Sequence, residues 1–133
     1  MKGCEQSGLS TWLAHQLVFL EHASPIVIIG GICIIVCVIS ELASNVASIQ
    51  LVLPILIAIQ KVTNLPALML MVPATLAASL GFMLPVATPP NTIVYGSGRI
   101  DTADMRNSGS LLDIAGIIII TVVSMMIRLI LWQ

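Results

Sequence analysis

The sequence predicts an all-α integral membrane protein, and three of its features carry that prediction. Only 8% of the 133 residues are charged and 58% are hydrophobic, whereas about a quarter of a typical soluble domain is charged. The mean hydropathy is +1.09. The charged residues stand at segment borders and leave uncharged runs at 23–40, 42–60, 62–98 and 114–127. Since a helix needs roughly 20 apolar residues to span a bilayer, these runs predict a re-entrant helical hairpin, a discontinuous helix and one final transmembrane helix.

The same composition argues against several other classes of protein. Disordered chains have low hydrophobicity, and nucleic-acid binders carry a basic surface, but the net charge here is −1. Neither a nucleophile with its base nor a set of metal ligands is visible, and Cys33 and Cys37 are interpreted as small buried hydrophobes. We therefore expect no enzyme, no cofactor and no nucleic-acid partner.

Residues 1–24 are predicted to form a polar start followed by an amphipathic helix. Within 9–22 the apolar residues follow helical spacing, and Trp12 is a suitable interfacial anchor. Two interpretations stay open, because the helix can lie in the membrane interface or serve as a connector in water.

Residues 25–61 are predicted to form a re-entrant hairpin with its tip at 41–46. The apolar segments 25–40 and 46–60 would measure about 24 Å and 22 Å as helices, short of the ~30 Å hydrocarbon core. In the competing interpretation both segments span the membrane and the tip is an aqueous turn. The segment lengths slightly favour the hairpin.

Residues 66–98 are predicted to form a broken transmembrane helix that is unwound at 87–91. The sequence there is ATPPN; Pro89 and Pro90 lack an N–H, and Pro89 biases Thr88 away from helix. The alternative is a helix that ends at Val86 and is followed by a turn.

Residues 99–110 are predicted to form an aqueous loop, and residues 111–132 the last transmembrane helix. Asp101 is a plausible helix cap, with Asp104 in the first turn. Asp113 is expected near lipid headgroups rather than in a proton relay. The loop contains Arg99 and Arg106, so the positive-inside rule leans toward a cytoplasmic loop and an outside C-terminus.

The hairpin tip and the helix break form the candidate binding site of this chain, because paired helix interruptions indicate a transporter site near the membrane midplane. Free N–H groups at the helix start after Asn45 favour an anion, and free carbonyls near Ala43 favour a hard cation such as sodium. Thr88 and Asn91 add side-chain donors and acceptors. Glu41, beside the tip, has two possible roles if it is not simply a solvated acid: attracting a cation, or supporting the hairpin backbone.

Two stretches resemble the divalent anion/sodium symporter family, the solute carrier family 13-like carriers of dicarboxylates and citrate. They read SELASNVASIQLVLPI and MVPATLAASLGFMLPVATPPNTIVYGSG, and the resemblance runs from about Ser7 to residue 125. Val46 departs from the family's Ser-Asn-Thr motif, as it does in the animal carriers. The resemblance implies most of the second inverted repeat of a homodimeric elevator-type transporter, located in the plasma membrane.

The resemblance also implies the roles of individual residues. It implies contacts with substrate carboxylate from Ser44, Asn45, Val46, Thr88 and Pro89. It implies sodium binding by Ser40, Ala43, Asn45, Ala87 and Pro89, with Glu41 and Asn91 in support.

Family members are several hundred residues long, so we expect a C-terminal fragment that holds half of the substrate site and is inactive alone. Two alternatives to a carrier of succinate or citrate with sodium remain. One is a truncated membrane protein that associates with a full-length carrier and modulates it. The other is a channel-like subunit.

Overall fold

The computed structural model describes residues 23–131, and within that range it consists of five helices joined by loops, with no strand. The helices are α1 (Pro25–Leu42), α2 (Asn45–Thr63), α3 (Ala67–Ala78), α4 (Pro89–Gly96) and α5 (Thr102–Leu131). By length and apolarity α1, α2 and nearly all of α5 are able to cross a membrane, which confirms the predicted all-α membrane class. The predicted amphipathic helix with Trp12 lies outside the described residues.

Helices α1 and α2 form a hairpin whose connection is only two residues long. Pro25 occupies the first turn of α1, where its missing N–H costs nothing. Ala43 and Ser44 are extended, and the Ser44 hydroxyl accepts a hydrogen bond from the Ala47 N–H (3.3 Å). The helices therefore extend into the predicted tip 41–46. With 18 and 19 residues they measure about 27 Å and 28 Å, so their length no longer favours a re-entrant hairpin over two spans.

The helix after the hairpin is interrupted, but the predicted position of the interruption is wrong. Helix α3 ends at Ala78 and α4 begins at Pro89, so the irregular segment is 79–88, called the break below, rather than 87–91. Pro89 and Pro90 start α4 instead of lying in unwound chain, because proline fits the first helical turn. The Thr88 hydroxyl accepts from the Asn91 N–H (3.4 Å) and caps that helix.

Helix α5 is a single helix of 30 residues, which corrects the predicted loop at 99–110. The Asp101 carboxylate accepts from the Thr102 N–H (2.8 Å), and Asp104 lies in the first turn, where acidic groups favour helix. The helix then runs unbroken into the predicted span. Its length of about 45 Å exceeds the hydrocarbon core, so its polar first turns extend beyond the apolar layer.

Helix α3 lies at the centre and packs against α1, α2 and α5. Ala74 and Ala77 are fully buried, and such small residues let neighbouring helices approach closely. Cys33 and Cys37 of α1 are buried and free, as predicted for small hydrophobes. The outer faces of the helices expose large apolar side chains such as Ile118 and Ile119, which suits a lipid surrounding.

Candidate functional site

The hairpin tip places two helix ends side by side with no basic residue at 41–46. The last carbonyls of α1 point toward the tip, and the first N–H groups of α2 open from it. The Ser48 hydroxyl donates to the Ser44 carbonyl (3.0 Å). Both the hydroxyl and the carbonyl of Ser44 therefore accept hydrogen bonds from the first turn of α2. Ser44 and Val46 are exposed and Asn45 is half-buried.

Ser40 ties the tip to the end of α3. Its hydroxyl oxygen lies 2.9 Å from the Asn45 side-chain oxygen and 2.5 Å from the Ala78 carbonyl oxygen. A hydroxyl carries one proton and can donate to only one of these acceptors at a time. Ser40 itself is fully buried, so this polar group depends on the two partners for its hydrogen bonds.

The break passes directly over Ser40. A Cβ on Gly81 would lie 3.5 Å from the Ala87 Cβ, 3.7 Å from the Ser40 hydroxyl and 3.8 Å from the Ser40 carbonyl oxygen. Ala87 is 8% exposed. The structure therefore brings Ser40, Asn45 and Ala87, three of the residues named for sodium, into one neighbourhood.

The remaining site residues predicted from sequence lie at the ends of separate helices. Ser44 caps α2 and Thr88 caps α4. Val46 and Pro89 are exposed, and Ala43 is the extended residue that ends α1. The hydrogen bonds of Ser44 and Thr88 stay within their own segments.

Glu41 supports the backbone of the break. Its two carboxylate oxygens accept hydrogen bonds from the Met83 N–H (3.0 Å) and the Leu84 N–H (2.9 Å). The side chain is 6% exposed, which excludes a solvated acid in an aqueous turn. Of the roles weighed for Glu41, its contacts match backbone support, although the backbone is that of the break and not that of the hairpin.

Asn91 holds the same segment from the other side. Its side-chain amide donates to the Gly81 carbonyl (2.8 Å) and the Leu84 carbonyl (3.1 Å). Buried backbone groups outside a helix need such partners. Glu41 and Asn91 together supply them for four backbone groups of the break.

Asp113 is a buried acid whose packing the sequence analysis did not predict. It is 3% exposed and lies beside the Glu41 carboxyl group, so it packs inside the protein. One turn before it, a Cβ on Gly109 would overlap the Phe82 carbonyl; one turn after it, a Cβ on Gly116 would overlap the Leu80 side chain. The spacing of two glycines around the acid was the available signal, because small residues at helical spacing mark a face that packs on protein.

The oxygen atoms of the arrangement suit a hard cation rather than a transition metal. Among residues 23–131 there is no group of three or more His, Cys, Asp and Glu side chains that could hold a metal ion. The oxygens available around Ser40 are backbone carbonyls, a hydroxyl and an amide, which are ligands for a hard cation. The N-terminus of α2 adds amide donors that suit a carboxylate.

Comparisons with known proteins identify the sequence family that this chain resembles. The sequence profile of the sodium:sulfate symporter transmembrane region matches residues 1–132. Solute carrier family 13 member 2 of Rattus norvegicus is 48% identical over 120 residues, 90% of this chain and 20% of its own length.

Two further relatives extend the range of similar proteins. The sodium-dependent dicarboxylate transporter SdcS of Staphylococcus saprophyticus is 43% identical over 122 residues, 92% of this chain and 24% of its own length. The Na(+)/citrate cotransporter of Rattus norvegicus is 45% identical over 116 residues, 87% of this chain and 20% of its own length. The chain thus spans about a fifth of the length of the curated relatives it matches.

Proposed function

The chain belongs to the sodium:sulfate symporter family, and from that membership we propose that it forms part of a secondary active transporter of di- and tricarboxylates coupled to sodium. The family predicted from the tip and break motifs is confirmed. The relatives are transporters and not enzymes, in agreement with the sequence analysis. The apolar helices described here are those of an integral membrane protein.

The observation that carries the proposal is the position of Ser40, which contacts Asn45 of the tip and the end of α3 and lies beside Gly81 of the break, with no basic residue at the tip. In the proposal, Ser44 and Asn45 bind a substrate carboxylate at the N-terminus of α2, where free amides favour an anion. In the same proposal Val46, Thr88 and Pro89 also contact the substrate. Two of the relatives are named for dicarboxylate and citrate, which supports substrates of the succinate and citrate class.

The proposed sodium site lies beside the carboxylate site. Its ligands are the backbone carbonyls of Ser40, Ala43, Ala87 and Pro89, together with the Asn45 side chain. A bound sodium ion would offset the charge of the carboxylate where no lysine or arginine of the tip does so. Sodium is therefore the coupling ion, and the proposal includes no resident cofactor.

The proposed carrier holds more than this chain. The matching region covers about a fifth of the relatives, so the other half of the substrate site would come from the rest of the transporter. We propose that this chain supplies most of the second inverted repeat of an elevator-type homodimer in the plasma membrane. The 99–110 segment would face the cytoplasm and the C-terminus the outside.

Sodium-dependent uptake of labelled succinate and citrate into proteoliposomes tests the proposal. The 133-residue chain alone should show no uptake, because it holds only half of a site. A chimera in which this chain replaces the matching 122 residues of SdcS should transport in the presence of sodium. Saturable uptake by the chain alone, or an inactive chimera that folds and inserts, would contradict the proposal.

A further inference from the structure

Two acidic side chains are buried side by side where α1, the break and α5 meet. Glu41 is 6% exposed and Asp113 is 3% exposed, and their carboxyl groups lie next to each other. The ionisable groups that face Asp113 among the described residues are Glu41 and Cys37, both on α1.

The two acids differ in their hydrogen-bond partners. Each oxygen of Glu41 accepts a backbone N–H, from Met83 and from Leu84, so both oxygens already serve as acceptors. Neither oxygen of Asp113 has a hydrogen-bond partner of good geometry in the described part of the chain, although the Phe82 backbone lies close to it. Two adjacent buried negative charges repel each other, and a buried charge without a partner is costly.

We propose that Asp113 carries a proton and donates its O–H to the Glu41 carboxylate. A protonated acid has one donor, so a single proton satisfies Asp113 and removes the repulsion. The resulting acid–carboxylate hydrogen bond joins α5 to the same side chain that holds the break. Asp113 is then a positioning residue that acts through Glu41, and the proposal holds whether or not the chain transports.

Infrared spectroscopy of the chain in lipid bilayers tests the proton directly, because a protonated carboxylic acid has a carbonyl stretch that a carboxylate lacks. Exposed acids are ionised at neutral pH and do not contribute to this band. The wild-type chain should nevertheless show the band, because Asp113 is protonated in the proposal. Asp113→Asn should abolish the band while keeping the helical circular dichroism, since the amide still donates to Glu41. The matched control Asp104→Asn, an exposed acid on the same helix, should leave the band unchanged.

Four outcomes would overturn the proposal. One is the absence of the band at neutral pH in the wild-type chain. A second is a band that survives in Asp113→Asn. A third is a loss of helical signal in that variant, because asparagine supplies the same donor. The fourth is a band present in potassium buffer and lost in sodium buffer, which would mean that a sodium ion binds between the two carboxyl groups. Each leaves the transport proposal untouched, since uptake is measured separately.

Discussion

At the residue scale, the break persists in an apolar protein because particular side chains satisfy its backbone. A buried donor or acceptor without a partner costs about 1–3 kcal/mol. Glu41 accepts two amide hydrogens and Asn91 donates two, and the Thr92 hydroxyl donates to the Pro85 carbonyl (2.7 Å). The segment therefore needs no water at these groups to stay unwound.

These partners show where residue-level prediction from the sequence stopped. Asn91 was expected to add donors and acceptors to the binding site, but its bonds to the Gly81 and Leu84 carbonyls of the break were not predicted. The partners of Glu41 were not identifiable, because Met83 and Leu84 are more than 40 positions away and their amides are free only where the helix has ended. The burial of Asp113 was not predicted, because the sequence analysis considered its position near the start of the predicted span and not the face of the helix on which it lies.

Gly109 offers a residue-scale test of the packing between α5 and the break. An alanine Cβ there would overlap the Phe82 carbonyl and lie 2.7 Å from the Met83 nitrogen. Backbone atoms cannot move aside cheaply, so Gly109→Ala should lower the free energy of unfolding by about 1–3 kcal/mol. Unfolding of the chain with sodium dodecyl sulfate, followed by circular dichroism, gives the value.

Gly96→Ala is the matched control, because no atom lies within 4 Å of a Cβ at that position. It should be neutral or slightly stabilising, since alanine favours helix over glycine by about 1 kcal/mol. Equal unfolding free energies for the two variants would refute the close approach of α5 to the break.

At the element scale, the prolines predicted a discontinuous helix but not its boundaries. Pro89 and Pro90 were interpreted as unwound chain, yet they begin α4. A proline stops a helix that precedes it and starts one that follows it, and the sequence alone does not show how far back the first helix stops. The end of α3 at Ala78 depends on the bond from Ser40 to its carbonyl, a contact between segments.

The hairpin poses a second question at this scale, because α1 and α2 are long enough to span the membrane although the proposed fold makes them re-entrant. Cysteine at position 45, in a chain whose Cys4, Cys33 and Cys37 are replaced by alanine, distinguishes the two. A re-entrant tip should react slowly with large membrane-impermeant thiol reagents from both sides. A cysteine at exposed position 108 gives the reference rate.

The labelling rate at position 45 decides between the arrangements. Reaction as fast as at position 108, from one side only, would mean that both helices span and that the tip is an aqueous turn. We predict that the cysteine reacts slowly with large reagents and faster with small ones, because the tip would lie at membrane depth beside the break.

At the scale of the whole molecule, the composition predicted the membrane class and the motifs predicted the family. The charges at segment borders and the uncharged runs between them were sufficient to predict the membrane class, since lipid excludes charged side chains along a span. The relation between the tip and the break required the folded chain, because Ser40 and Gly81 meet only when α3 packs between α1 and α5. Repeat symmetry, dimerisation and orientation concern the rest of the proposed carrier and remain predictions.

The most direct test of the central claim is the sodium-dependent succinate uptake of the SdcS chimera carrying Asn45→Ala, with Ser108→Ala as control. The claim is that Asn45 at the tip binds both the substrate and sodium. Losing a contact with a charged ligand costs about 1.5–3 kcal/mol, so uptake at low substrate should fall about tenfold or more and require more sodium. The Ser108 variant should transport like the parent chimera. Unchanged uptake and sodium dependence in an Asn45→Ala chimera that inserts normally would contradict the account.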